Sequence, residues 1–426
     1  MYLTDVEKAM LNGEQGQAKA VAMDLLVRYA EALGAERMVK TNSCAFGVIG
    51  GQHPMVKALH IDPYDFDAMY SVFSLDLDTD KTIKIPQLTV QSACTLSGCS
   101  DDYLDYIGAS ADLRKSQYEG EEYMRKTGFM LTQTCAPYLC GVMPVKGEHC
   151  AWCESSAIIY LNSVIGARTN NEGLAATGSA AIAGRIPYFG LHLDEERRGT
   201  HLIQVERQPR TPFEWSLLGY YAGTAVQIGI PVINGINETP TTDMLKAIGA
   251  AFATAGAIDM FHVVGYTPEA LNLEHAFGGN KPVDVIKFGE KELQWAIDKL
   301  NFKEDADVEM VMLGCPNYSI SEIRYLAKVL ENKKVKIPLL VMTANSTKAM
   351  SDFSGYTKTI EAAGGRFIRG GCPLTSGAPT NIKVLAVDST KLAHYTPGLT
   401  MQHMRLGTVE QCVNAAVTGK WEEEKR

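Results

Sequence analysis

Three of the ten cysteines in this 426-residue chain share a setting that could do metal chemistry. Cys135 follows GFMLTQT, Cys315 closes DVEMVMLG and Cys372 closes GRFIRGG. Each ends a run that reads as a strand, at the carboxyl edge where open α/β sheets bind ligands. Each has a proline one or two positions on: Pro137, Pro316 and Pro373. Proline lacks an N–H and fixes the local turn, and Cys-Pro is a common neighbourhood of iron–sulfur ligands. Thiolates are the soft donors that such centres need. The pattern alone leaves two readings level, a shared cluster or three small buried hydrophobes.

A denser group lies in TCAPYLCGVMPVKGEHCAWCESS, which holds Cys135, Cys140, Cys150 and Cys153. Cys150-x-x-Cys153 resembles a redox pair or half of a zinc site. A structural zinc takes four ligands, and no second C-x-x-C follows. Cys140 or His149 could complete a set. The segment reads as helical after Glu148, however, so two buried cysteines on a helix are the better reading. Cys94 and Cys99 share that ambiguity, and Cys44 and Cys412 read as packing residues.

Small polar groups recur in ESSAIIYLNSVIGARTNNEG: Ser155, Ser156, Asn162, Ser163, Arg168, Thr169 and Asn170. The Arg168 fork could grip a carboxylate bidentately. The plainer reading, a helix end with capping amides and a solvated arginine, stands slightly ahead on the local sequence. KTNSCAFGVIGG is a Gly-rich loop that could present Asn42, Ser43 and backbone N–H groups to an anion. It does not match the phosphate-loop pattern, so no nucleotide site is assigned. His192 and His262 lie at or after strands, where a satisfied structural histidine is the commoner outcome.

These residues need a scaffold. Apolar β-branched runs alternate with helical periodicity. GIPVINGI, IDMFHVVG, DVEMVMLG, IPLLVMTA, GRFIRGG and IKVLAVD read as strands. TTDMLKAIGAAFATAG, EKELQWAIDKL, SISEIRYLAKVLEN and TKAMSDFSGYTKTIEAAG read as helices, and so does the opening from residue 4 to about 33, capped by Thr4. This is an α/β chain with mostly parallel strands. At roughly 150 residues per domain it has room for two to three domains. The expected division is 1–130, 131–235 with Cys135 and the polar segment, and 236–426 with Cys315 and Cys372, with interleaving.

Composition narrows the partners. Net charge is −9 with the signs interspersed, so nucleic acid is not expected. No apolar run reaches the ~18 residues of a membrane helix, and no apolar leader opens the chain. The expectation is a soluble, cytoplasmic protein, whose thiols stay reduced.

TCAPY, GEHxAWxESSAIIYLNSVIGARTNxEG, GLHLDEERR, FHVVGYTPEA, LGCPNYS and DSTKLAHYTPGL together resemble the large subunit of the aconitase X family, over nearly the whole chain. The resemblance implies a hydro-lyase with three α/β domains around a central iron–sulfur cluster. It implies Cys135, Cys315 and Cys372 as ligands, which are the cysteines that the strand-end argument picks out. Three ligands with one open iron suit a 4Fe-4S cluster, and 2Fe-2S is chemically possible. The Arg168 segment and the Ser43 loop would line the substrate pocket, with His192 and His262 as candidates beside them. Family members are expected to lack cysteine at positions 150 and 153, and the loop QLTVQSACTLSGCS departs from a Thr- and Asn-rich pattern.

The base of this superfamily is a serine on a mobile fourth domain. No segment for it follows residue 420, so a small swivelling-domain subunit is expected to supply it. Two substrates fit, cis-3-hydroxy-L-proline, giving Δ1-pyrroline-2-carboxylate, and 5-phosphomevalonate. The low charged fraction of 21% argues against a hyperthermophile and, with the loop departures, tilts toward the former. A non-catalytic scaffold, or a zinc-binding protein built on Cys140, Cys150 and Cys153, is the alternative from another class.

Overall fold

The computed structural model describes residues 1–95, 98–304, 306–372 and 381–422. Pro373, one of the three prolines beside the cysteines, lies outside them. The opening helix forms in two pieces, Asp5–Leu11 and Gln17–Ala32. Thr4 and Glu7 build a reciprocal cap on the first piece. Gly13 and Gly16 then take positive φ and break the run.

The strands are β1 Met38–Lys40, β2 Ser43–Phe46, β3 Gln91–Cys94, β4 Phe129–Met130, β5 Cys150–Trp152 and β6 Arg185–Pro187. They continue with β7 His201–Val205, β8 Pro231–Asn234, β9 His262–Val263 and β10 Asp284–Phe288. The last are β11 Met310–Tyr318, β12 Leu339–Thr343, β13 Gly365–Arg369, β14 Val384–Val387 and β15 His403–Leu406. Among the described residues they form parallel sheets of order β4-β3-β2-β5, β10-β7-β8-β9 and β13-β12-β11-β14-β15, and β1 pairs antiparallel with β6.

The expected α/β architecture with mostly parallel sheets is therefore present. The sheets divide the chain after β6 and after β10, not at 130/131 and 235/236. β5 returns to the sheet begun by β2 and β3, and β9 and β10 complete the sheet begun by β7 and β8. Each sheet starts on an inner strand, grows outward on one side, and later adds strands to the other. Each thus contains the reversal of strand order at which this architecture binds ligands.

β12 and β14 are buried along their whole length, as expected for a sheet covered on both faces. The expected helices form at Thr242–Gly256, Glu290–Leu300 and Ile320–Leu330. The expected helix over 347–364 splits into Asn345–Phe353 and Tyr356–Ala363, because Gly355 turns left-handed between them. Residues from Glu148 do not continue a helix. Cys150–Trp152 is the strand β5, and the helix begins at Ser155. Hydrogen bonding of β5 to β2 overrides the local helical pattern there. Among the described residues no helix is long and apolar enough to cross a membrane.

Candidate active site

β11 is the central strand of the third sheet, and the reversal of strand order falls between it and β14. Cys315 stands within β11 and not past its end, as its motif had led us to expect. The strand is irregular there: its register against β12 shifts between Leu313 and Tyr318. Gly314 has φ +93°, and a Cβ at that position would lie 2.3 Å from the carbonyl oxygen of Met342. Only glycine permits that approach. Cys372 follows β13 in the same sheet, and Cys135 arrives from the first sheet past β4.

The backbone N–H of Asn317 donates to Cys135 Sγ at 3.3 Å, and the Thr134 hydroxyl donates to Asn317 Oδ1 at 2.7 Å. The thiols are close enough to feel one another: Cys135 and Cys372 interact electrostatically, and Cys315 with both.

A buried cation faces them. Lys391 follows β14, and its Nζ donates to Glu154 Oε1 at 3.1 Å, Ser155 Oγ at 3.3 Å and Ser156 Oγ at 3.4 Å. Glu154, Ser155 and Ser156 follow β5, so the carboxyl edges of the first and third sheets meet here. Burial pushes the Cys135 thiol up to about 12, Glu154 adds to the rise, and Lys391 opposes it. Burial also raises Cys315, again against Lys391. Burial alone would lower the Lys391 ammonium, but Glu154, Cys315 and Cys135 outweigh it and hold the proton on. The site is a set of soft donors beside a fixed positive charge.

A cavity of about 370 Å³ reaches Cys315 from the contact of the second and third sheets' helices. Phe213, Pro316 and Tyr325 form apolar parts of its wall. Among the described residues its charged lining is Asp243, Glu322, Asp388, Glu410, Lys246 and Arg210. Lys246 is already paired with Glu322, Tyr318 donates to Asp388 and Tyr325 to Glu410.

The polar segment divides in two. Ser155 and Ser156 join the thiols. Asn162, Ser163, Thr169 and Asn170 enter a buried network. Asn162 Nδ2 donates to the carbonyls of Thr169 and Asp259, Ser163 Oγ accepts from the Phe261 N–H, and Asn170 donates to Glu172. Arg197 sits at the centre of that network, 2% exposed. It donates to Glu269, Asn162, Ala167 and Leu191.

His262 Nε2 lies 2.8 Å from the Arg197 carbonyl, and His192 Nδ1 2.9 Å from His149 Nδ1. Arg168 donates to the His192 carbonyl at 2.6 Å and pairs with Asp194, so the fork expected for a substrate carboxylate is filled from within. Ser43 is buried and accepts from Trp152 Nε1 at 3.1 Å. Lys391, Glu154 and Arg197 were missed by sequence reasoning. Lys391 carried one usable signal, its place just past the apolar run IKVLAVD.

Family models match the chain in three parts, the aconitase X first domain at residues 1–195, the second at 199–298 and the third at 308–418. The chain belongs to the aconitase X family. The phosphomevalonate dehydratase large subunit of Methanocaldococcus jannaschii is 32% identical over 96% of this chain and 99% of its own. That of Thermococcus kodakarensis is 31% identical over 98% and 100%. The cis-3-hydroxy-L-proline dehydratase of Pseudomonas aeruginosa is 32% identical over 97% of this chain and 70% of its own. The holo-form crystal structure of Thermococcus kodakaraensis aconitase X matches with a TM-score of 0.83, at 31% identity, over 98% of this chain and 100% of that one. These relatives are dehydratases, and this aconitase X chain is accordingly a hydro-lyase.

Within the aconitase X fold Cys140, Cys150 and Cys153 have neighbours other than the three thiols. Cys140 accepts from the Ser346 hydroxyl at 3.1 Å. Cys150, the first residue of β5, lies near the Glu148 carbonyl, and Cys153 interacts with Cys44 and Cys94. Cys140, Cys150 and Cys153 thus face different neighbours. Among the described residues no three His, Cys, Asp or Glu side chains converge tightly enough for a single metal ion.

Proposed function

We propose that this chain is the cluster-bearing large subunit of an iron–sulfur dehydratase acting on a small hydroxy-carboxylate, cis-3-hydroxy-L-proline, which it converts to Δ1-pyrroline-2-carboxylate. The reading rests on one observation: Cys135 of the first domain, held by the Asn317 N–H two positions after Cys315, lies with Cys315 beside the largely buried Lys391, and Cys372 is within electrostatic reach of both thiols. Cys135, Cys315 and Cys372 would hold the cluster, with three thiolates suiting a 4Fe-4S form that leaves one iron open. When bound, such a centre supplies a Lewis acid that eases departure of the substrate hydroxyl.

The chain's own residues do the rest. Lys391 offsets thiolate charge that would otherwise be buried uncompensated. Ser155, held at its Nζ, presents a hydroxyl for the substrate carboxylate, while Ser156 gives its own to Glu154. Asn162, Ser163, Thr169, Asn170, His192 and His262 act from behind, by fixing the loops that carry these serines. The relatives named as large subunits support a small partner, which we assign the proton-abstracting serine.

The lining of the cavity favours the amino acid substrate. Among the described residues Lys246 and Glu322 offset each other as a pair, which leaves Asp243, Asp388 and Glu410 facing Arg210 there. A phosphomonoester dianion would meet that acidic surplus, whereas a zwitterionic amino acid brings an ammonium that suits it. The second reading, 5-phosphomevalonate, is favoured by length, since this chain spans 99% and 100% of two phosphomevalonate dehydratase large subunits.

The deciding experiment is anaerobic purification with the co-expressed small partner, then iron, sulfide and zinc analysis and dehydration assays with both substrates. Iron and sulfide with turnover of cis-3-hydroxy-L-proline are expected. Turnover of only 5-phosphomevalonate would select the second reading, and zinc or no metal would overturn both.

A further inference from the structure

We infer that Lys246 is a positioning residue for the thiol site, acting through Asn317. The inference rests on the iron–sulfur reading above. Lys246 lies on the Thr242–Gly256 helix of the second domain and is only 3% exposed. Its Nζ donates to the Asn317 carbonyl at 2.9 Å and pairs with Glu322. Glu322, in the first turn of the Ile320–Leu330 helix, accepts from the Ser319 N–H at 2.8 Å.

Asn317 is itself buried, two positions after Cys315, and three of its four polar groups are committed. The carbonyl takes Lys246, Oδ1 takes the Thr134 hydroxyl, and the N–H is given to Cys135 Sγ. One residue thus ties a thiol of the first domain to the strand carrying a thiol of the third, and a lysine of the second holds it there. The Lys246 ammonium also lies within electrostatic reach of Cys135.

Stability alone does not explain this arrangement. Burying a lysine–carboxylate pair costs desolvation of both ions, and apolar residues of similar size serve packing as well or better. An ammonium placed here does what an apolar side chain cannot. It fixes the direction of the Asn317 carbonyl, keeps the neighbouring N–H aimed at Cys135, and adds positive field at that sulfur. Hydrogen bonds to ligand sulfurs and nearby charge are the levers by which a protein tunes a cluster.

The test compares wild type with Lys246→Met and with Lys246→Met/Glu322→Gln, each purified anaerobically as the full chain; glutamine removes the charge and keeps the acceptor for the Ser319 N–H. The double variant removes both buried charges, so its fold is preserved even where the single variant, with Glu322 left unpaired, fails to fold. Thermal unfolding of the double variant is expected to stay near wild type. Its iron should be lost in air about 10-fold faster, and its reduction potential should move to a more negative value. A folded double variant that loses iron within twofold of the wild-type rate, at an unchanged potential, overturns the inference alone. A wild-type chain without iron and sulfide overturns the iron–sulfur reading and this inference with it.

Discussion

Lys391→Met replaces the buried cation with a neutral side chain of similar length, and its cost can be worked from the geometry. Nζ stands 3.1 Å from Glu154 Oε1, with side-chain exposures of 14% and 21%. At an effective dielectric of about 20, that separation is worth about 5 kcal/mol of gross attraction. Desolvation of both ions offsets part of it, so loss of one partner should cost about 3 kcal/mol. Most of that loss is a largely buried carboxylate left with the Ser156 hydroxyl, at 3.0 Å, as its hydrogen-bond partner among the described residues. Removing the carboxylate as well should recover part of the cost. In guanidinium unfolding of the metal-free chain, Lys391→Met/Glu154→Gln should therefore be more stable than the two single losses predict, by about 2 kcal/mol. Losses that simply add, to within about 0.5 kcal/mol, would show that the two groups do not act as a buried pair.

Cys315→Ser should lose iron and sulfide while Cys153→Ser keeps both, as read by metal and sulfide analysis and visible absorption; the reverse result would reassign the ligands. Burial lifts the Glu172 carboxyl from an ordinary 4.5 to about 7. The folded chain therefore binds that proton more tightly than the unfolded chain. The contribution to stability is full below about pH 4.5 and is lost as pH rises through about 7, a fall of about 3 kcal/mol. Glu172→Gln should flatten that part of the stability–pH curve, which unfolding at a series of pH values will show. Gly314→Ala places a methyl group 2.3 Å from the Met342 carbonyl oxygen at φ +93°. It should cost about 3 kcal/mol and displace Cys315, lowering the iron-to-protein ratio of anaerobic preparations.

Much of the third domain was legible because its strands are long and apolar. VEMVMLG, PLLVMT and KVLAV read as covered strands, and the cysteines that end VEMVMLG and GRFIRGG carry a proline signal. The first sheet was not legible. SCAF, QSAC and CAW are three or four residues long and rich in small or polar types. Their conformation comes from pairing with one another across distant parts of the chain, which no local window contains. The helix read back to Glu148 failed for that reason, since nothing near Cys150 announces the partner strand β2. Ionised residues were harder still. Lys391, Lys246 and Arg197 look like solvated side chains in sequence, because burial is a property of what folds over them.

The strand order accounts for where the chemistry gathers. In each sheet the chain begins inside, moves outward, then crosses to the other side, leaving a crevice at the carboxyl edge beside the starting strand. In the first sheet that edge carries Glu154, Ser155 and Ser156, with Cys135 in the loop past β4. In the third it carries Cys315 and Lys391, with Cys372 past β13. The second sheet brings no thiol. Its helices bring Lys246, whose ammonium meets Asn317 between the other two. No single domain thus contains the thiol set together with the charge that makes the set tolerable when buried. The site exists only where the edges of the first and third sheets face each other, so contacts between domains, more than any one motif, decide whether the three cysteines can act together.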